Sequence, residues 1–347
     1  MAEHDEDPRG ALVWTDAHAA PLVADIVERF GAAAPILGVG GPRSREVDDL
    51  AKSLGVPRYD DPRHTLLDKK PATWLLASTD QIEPEHLSLA ATRGVAVLSL
   101  APLAPGAGGA ACELAAWKPK PAEAPAPEAR LRIAPALLAG DGYLDAADPE
   151  QAVGPAHSVH VEIDARPQDA PLSTLLLDAW ASALRFAALP DAIDASLDRP
   201  PAAGVSVGQL TGALHAHARL PGRGAVTLVI RGNAPRFARR IRVQGADATL
   251  ELTDTGYALW DANGQALDQE TNPEALAHTT TRPPADLIAN QWRRLLERRA
   301  KPDPYFEPRT WARALACAEA CVLSARTQSA ERPETLLRVA GFEQDTD

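Results

Sequence analysis

The chain has 347 residues, with 35 Lys+Arg against 47 Asp+Glu and a formal net charge of −12. Its length predicts two domains, each able to bury a core without disulfides or metals. The acidic balance argues against nucleic acid as a partner, because phosphate binding needs a basic footprint, and no run approaches the roughly 18 to 20 apolar residues of a membrane span.

The chain opens on MAEHDEDPRG, which is acidic and polar and does not read as a secretory signal. Ala11–Thr15 (ALVWT) is a short apolar run, and a helical pattern follows through Phe30. Pro35–Val39 is a second apolar run, followed by a helical Ser44–Leu54. A short strand near Arg58-Tyr59, a helix at Arg63–Asp68, a strand at Thr73–Ala77, a helix at Glu83–Thr92 and a strand at Val95–Leu100 complete the series. Strands alternating with helices predict βαβ units: an α/β, Rossmann-like first domain over 1–102 with a parallel sheet.

Residues 103–128 are rich in Pro, Ala and Gly and read as a loop and extended linker. A second domain is expected over 129–347. His157–Asp164 alternates like a strand with one wet face, and Leu172–Leu189 is a long apolar helix. Strands are predicted at Gly212–Leu220, Ala225–Arg231, Arg239–Val243, Thr249–Leu252 and Tyr257–Asp261. Turn residues such as Pro221-Gly222 and Ala262-Asn263-Gly264 separate them. Tight turns between consecutive strands predict an open, mostly antiparallel sheet, so this domain is α+β. Helices over about 284–299, 308–326 and 333–340 close the chain, and they could pack back on the first domain. Three cysteines, Cys112, Cys317 and Cys321, predict unpaired thiols in a reducing cytoplasm. The spacing of Cys317 and Cys321 places both on one helical face.

Several stretches carry a family resemblance. Leu54-Gly55-Val56-Pro57-Arg58-Tyr59-Asp60-Asp61 resembles an entry to a third Rossmann strand, and Trp74–Pro102 a fourth strand, helix and fifth strand. Gln244–Leu252 (QGADATLEL) is similar to a characteristic hairpin, and Ser324–Leu337 to a C-terminal helix before a Pro-bearing turn. In this order they resemble the glucose–fructose oxidoreductase / inositol dehydrogenase (Gfo/Idh/MocA) superfamily. The resemblance implies a Rossmann domain for NAD or NADP and a sheet domain for a sugar or cyclitol. It also implies self-association through the C-terminal sheet.

The resemblance further implies hydride transfer, with a Lys and a His as acid/base groups, a supporting Asp, and a Gly-rich turn for the cofactor pyrophosphate. At the turn, G-x-G-x-x-G is replaced by Thr15-Asp16-Ala17-His18-Ala19-Ala20. Cβ atoms crowd the approach that glycine permits, and Asp16 brings negative charge. Asp16 reads equally as a helix cap. The ribose-binding acid falls on Gly41, within Gly38-Val39-Gly40-Gly41-Pro42-Arg43. Gly40 and Gly41 read either as a phosphate loop, with Arg43 and Arg45 meeting an anion, or as a tight turn. Ser78-Thr79-Asp80 replaces the family's Thr-Pro-Asn, and Glu83 its neighbouring His. Should a nucleotide bind, Thr15, Asp16, Ala17, Gly40, Gly41, Arg43, Ser78 and Thr79 would hold it.

The catalytic positions are replaced as well. The family Lys falls on Ala101, in Leu100-Ala101-Pro102, in a chain whose only lysines are Lys52, Lys69, Lys70, Lys118, Lys120 and Lys301. Anchored on Arg185-Phe186, the family His falls on Ala179 and its Asp on Ser182. No histidine lies between His160 and His215 in any register. His215 and His217, two apart on a strand, share one face that could clamp a metal or simply be a sheet face; no metal site is predicted. Arg236, Arg239, Arg240 and Arg242 could hold an anion or form a solvated strand face. The Arg293-Arg294 pair reads as the polar side of a helix.

Three functions compete. The first is a homologue degenerate in NAD(P) binding and catalysis that acts in binding, regulation or assembly. The second is an active oxidoreductase on a sugar or cyclitol, with Asp178 or Tyr143 as replacement groups. The third is a hydrolase or lyase of sugar derivatives, for which no nucleophile or metal site stands out.

Overall fold

The computed structural model describes residues 10–78, 81–100, 131–134, 136–137, 143, 146, 152–198, 210–271, 284–297 and 308–339. The described residues divide into two compact units, the first drawn from within 1–105, 119–134 and 285–302.

The first unit holds a six-stranded parallel sheet: β1 (Ala11–Trp14), β2 (Ile36–Gly40), β3 (Arg58–Tyr59), β4 (Thr73–Leu76), β5 (Ala96–Ser99) and β6 (Leu131–Ile133), in the order β3-β2-β1-β4-β5-β6. β1, β4 and β5 are buried at every position, because helices cover both faces. The helices are α1 (Ala20–Phe30), α2 (Arg45–Leu54), α3 (Pro62–Lys69) and α4 (Pro84–Thr92). α2 starts where the Ser44 hydroxyl accepts from the Val47 N–H at 3.2 Å and ends at Gly55 in the left-handed region (φ 66°).

A helix from far along the chain completes this core. α6 (Pro284–Glu297) packs with α1 and α2 on the face formed by Ala11, Val13, Leu75 and Leu98. Trp292 stacks on Phe30 at 4.1 Å between ring centres. Its indole N–H donates to Thr73 Oγ1 at 2.9 Å, and that hydroxyl donates to the Ala96 carbonyl. A buried Trp needs such a partner for its one donor. The sequence boundary at residue 129 therefore moves. β6 hydrogen-bonds to β5, and α6 belongs to the same unit, so the first unit is built from separated stretches.

The second unit is an eight-stranded mixed sheet in the order β14-β13-β12-β11-β7-β10-β9-β8. Its strands are β7 (Ala156–Asp164), β8 (Ala192–Leu197), β9 (Ala213–Arg219), β10 (Ala225–Arg231), β11 (Ala238–Gly245), β12 (Ala248–Thr253), β13 (Gly256–Asp261) and β14 (Ala266–Thr271). All pairings are antiparallel except β7 with β10. The expected meander thus holds for β9–β10, which β8 extends, and for β11 through β14, while β7 inserts between β10 and β11. β8 and β14 join as strands that the sequence pattern did not single out.

Burial alternates along these strands, apolar residues facing α5 (Leu172–Phe186). Twelve consecutive residues of α5, Leu172 through Ala183, are buried. A helix buried all round is packed on more than one side, and here α7 (Pro308–Thr327) also lies against α5. Trp180 Nε1 donates to Cys321 Sγ at 3.3 Å, and Cys317 is buried one turn earlier. Burial pushes the Cys321 thiol up to about 12. α8 (Pro333–Val339) follows the segment in which Glu331 bridges to Ile193 of β8.

Candidate functional site

In an open parallel sheet the ligand crevice lies beyond the carboxyl ends of the strands, where the strand order reverses. Here that point lies between β1 and β4. The chain leaves β1 through Trp14 and Thr15, both fully buried, and turns at half-buried Asp16. Asp16 Oδ1 accepts from the Ala19 N–H at 2.8 Å, and the Asp16 carbonyl accepts from the Ala20 N–H at 3.0 Å. Asp16 thus closes the turn that leads into α1, whose N-cap, Ala19, has no side-chain cap of its own. Ala17, beside it, is exposed.

The neighbouring strand ends are joined tightly to this turn. Thr15 N–H donates to the Gly40 carbonyl at 2.9 Å, and the Ala77 and Ser78 N–H groups converge on the Trp14 carbonyl at 2.7 and 3.3 Å. Both glycines at the end of β2 are explained by packing. A Cβ on Gly40 would overlap the Trp14 ring, and one on Gly41 (φ 153°) would overlap the Thr15 carbonyl oxygen. Arg58 Nη2 donates to the Gly41 carbonyl at 2.9 Å while its Nε pairs with Asp48 at 3.1 Å. Arg43 is exposed and lies 3.3 Å from Asp60. Ser78 is buried, and Thr79 and Ala101 lie outside the described residues.

These residues do not fit a dinucleotide pyrophosphate. Such a group binds at a helix N-terminus because backbone N–H groups there lack partners. At α1 the Asp16 carboxylate already takes the Ala19 N–H, and a second anion beside it would be repelled. The Gly40 and Gly41 space that would admit a phosphate is filled by Trp14 and by Thr15.

The second unit holds the other candidates. Ala179 is fully buried within α5 and faces no solvent. Ser182, at the family Asp position, is buried, and its hydroxyl has no hydrogen-bond partner among the described residues. Tyr143 Oη accepts from Arg185 Nε at 2.9 Å. Glu83, back in the first unit, is exposed, and its N–H donates to His86 Nδ1 at 3.0 Å.

Asp178 belongs to an ion cluster that the sequence reading missed. Arg239 on β11 is fully buried; its Nη1 pairs with Asp178 Oδ2 at 2.7 Å, and its Nη2 and Nε pair with Asp254. Asp178 Oδ1 accepts from the Leu137 N–H at 2.9 Å. Burial pushes the Asp178 carboxyl above its ordinary range, with Arg239 pulling the other way. The four arginines grouped in the sequence are therefore not one surface. Arg239 shares the parity of Ile241 and Val243, which puts it on the buried face, whereas Arg240 and Arg242 are exposed. That parity was the available signal. His215 and His217 stand exposed on the opposite, open face, with His217 Nδ1 3.4 Å from Thr227 Oγ1.

The fold is that of two-unit dehydrogenases pairing a Rossmann-like unit with an open sheet. UDP-N-acetylglucosamine 3-dehydrogenase GnnA from Acidithiobacillus ferrooxidans is similar over 92% of this chain and 98% of that one, at 14% identity and TM-score 0.64. An oxidoreductase from Agrobacterium radiobacter, solved with NAD+, L-tartaric acid and magnesium, is similar over 95% and 99%, at 13% identity and TM-score 0.66. A NAD-binding oxidoreductase from Klebsiella pneumoniae is similar over 93% and 98%, at 14% identity and TM-score 0.63. No protein-family model matches the chain, and no curated protein matches it in sequence. Among the described residues no helix is long and apolar enough to cross a membrane.

Proposed function

We propose that this chain is an oxidoreductase-fold protein that has lost dinucleotide binding and hydride transfer and serves in binding, regulation or assembly. One observation carries the reading: the Asp16 carboxylate stands in the turn before α1 and takes the N–H of its N-cap, Ala19, placing a negative charge where a pyrophosphate would have to sit. The catalytic replacements Ala101 and Ala179 support it, since alanine moves no proton. Asp178 and Tyr143 do not substitute for them. Both are buried, Asp178 in ion pairing and Tyr143 in a bond to Arg185. The open face of the second sheet supports the assembly role and is where we place self-association. The buried, unpaired Cys317 and Cys321 suit a cytoplasmic setting.

Thermal melts with NAD(H) and NADP(H) test this. A cofactor at 100 times its Kd would add about 2.7 kcal/mol of stability. We expect no shift at millimolar cofactor and no nicotinamide reduction with a polyol and sugar panel. A clear shift accompanied by turnover would overturn the reading.

A further inference from the structure

Opposite charges nearly cancel on the open face of the second sheet. The strand residues turned to it include Arg219, Arg231, Arg240 and Arg242 and, against them, Glu162, Asp164, Asp194 and Glu251. Arg231 is held by Glu162 and Asp164 at 2.8 and 2.7 Å, and Arg240 by Glu251 at 3.2 Å. Asp198 adds one carboxylate at the rim, just past β8. The whole chain carries a net charge of −12, so this near-balance is a property of the face. Three histidines are set into its middle: His215 and His217 on β9, and His160 on β7, with β10 between the two strands. One row crosses six strands in register: Asp194, His217, Thr227, His160, Arg242 and Glu251. His217 thus faces Asp194 and Thr227 across the strands, with His215 and Arg219 beside it on β9. His160 faces Thr227 and Arg242, with Arg240 diagonal on β11 and Glu162 beside it on β7. His215 faces Ser196 and Val229, with Asp194 and Asp198 diagonal on the β8 side and Arg231 on β10.

We propose that these three histidines make self-association through the open sheet pH-dependent: two copies join while the imidazoles are neutral and part as they take up protons. The inference rests on the self-association placed on this face above. Histidine is the side chain that ordinarily changes charge between pH 5 and 8. Three added charges turn a nearly balanced face cationic, and a two-fold contact, which uses the same patch on both copies, doubles them. Like charges brought together repel, and each imidazolium must also give up water on burial. One effect opposes this, since acidification lowers the negative charge of the whole chain. Charges outside the contact, however, are screened beyond about 8 Å at physiological ionic strength, so those inside it decide the sign. Asp194 offsets a charge on His217 within one copy. The charged residue across the strands from His160 is Arg242, so the strongest repulsion is expected there.

Sedimentation velocity of the full chain across a concentration series, at about pH 8 and about pH 5.5, tests it. We expect association at the higher pH and a dissociation constant weaker by about tenfold or more at the lower, with thermal melts showing a folded chain at both. The triple variant His160→Gln, His215→Gln, His217→Gln should associate equally at the two pH values. Thr227→Arg, which adds a fixed charge at the centre of the same row, should keep a folded chain monomeric even at the higher pH. Association of the unaltered chain that is unchanged or stronger at the lower pH overturns the inference and leaves self-association standing. A triple variant that still parts on acidification overturns it as well, because other groups then carry the effect. Association that survives Thr227→Arg at the higher pH places the contact elsewhere and overturns it too. A chain that stays monomeric at the higher pH overturns both this inference and the self-association beneath it.

Discussion

In the function proposed above, two positions to which the family resemblance assigns chemistry are closed by different physical means. At the β1–α1 turn the closure is electrostatic: the chain supplies its own anion, Asp16, to a helix N-terminus that would otherwise receive a phosphate. On α5 the closure is steric and apolar: Ala179 lies in the core of a helix buried along twelve residues, next to a carboxylate locked by Arg239. The first kind of closure is local and rests on one side chain at the surface. The second is distributed through the core and is inseparable from folding. A lost surface site can be reopened by substitution, whereas a site absorbed into a core cannot be reopened without repacking it.

The comparison can be broken most sharply at Asp178. Removing one partner of a buried ion cluster leaves the others uncompensated, so Asp178→Ala should cost about 3–5 kcal/mol in urea melts. A loss no greater than that of a surface substitution would mean that the cluster is solvated. The same carboxyl gives a pH signature. Its folded-state value lies above the ordinary 3.8, so in the acid window between the unfolded and folded values the folded chain holds a proton that the unfolded chain has released, and above that window the carboxylate is ionised against Arg239. Its contribution is therefore full below about pH 4 and is lost as pH rises through the folded value. Asp178→Asn should remove that slope.

Placing a histidine where the resemblance implies one tests the proposed core closure directly. Ala179→His forces a larger, polar ring into a filled space and should cost about 1–3 kcal/mol, without any gain of turnover. An unchanged melting temperature would show room there that the packing denies. The smallest effect is expected at the surface closure. Asp16→Ala removes one side-chain hydrogen bond, to the Ala19 N–H, and should cost about 1 kcal/mol. It should not by itself confer NAD binding, because Trp14 and the Thr15 carbonyl still fill the space beside Gly40 and Gly41.

Much of the fold was legible in the sequence for a physical reason. A parallel sheet covered on both faces demands unbroken apolar strands, and ALVWT and TWLLA are such runs. The strands that escaped notice lack this signal. β8 (AIDASL) buries only Ile193 and Ala195, β14 (ALDQET) is an exposed polar edge strand, and β6 has only three residues. The partnership of Trp292 with Phe30 spans more than half the chain, and no local pattern encodes it. The candidate site was read in the sequence from what the resemblance implies and Ala101 and Ala179 do not supply. What Asp16 does instead, and where Arg239 points, depended on packing, although the parity of β11 held the second answer.

The docking of α6 on the first sheet also bears on how the chain is made. Ribosomal synthesis delivers β1 through β6 first, then the sheet and α5 of the second unit, then Trp292, and last α7 and α8. Until that residue emerges, Phe30 lacks its stacking partner and the Thr73 hydroxyl its indole donor. The second unit can form its sheet while the first waits with an apolar face open, but its α5 core is completed only later still, when α7 brings Cys321 to Trp180.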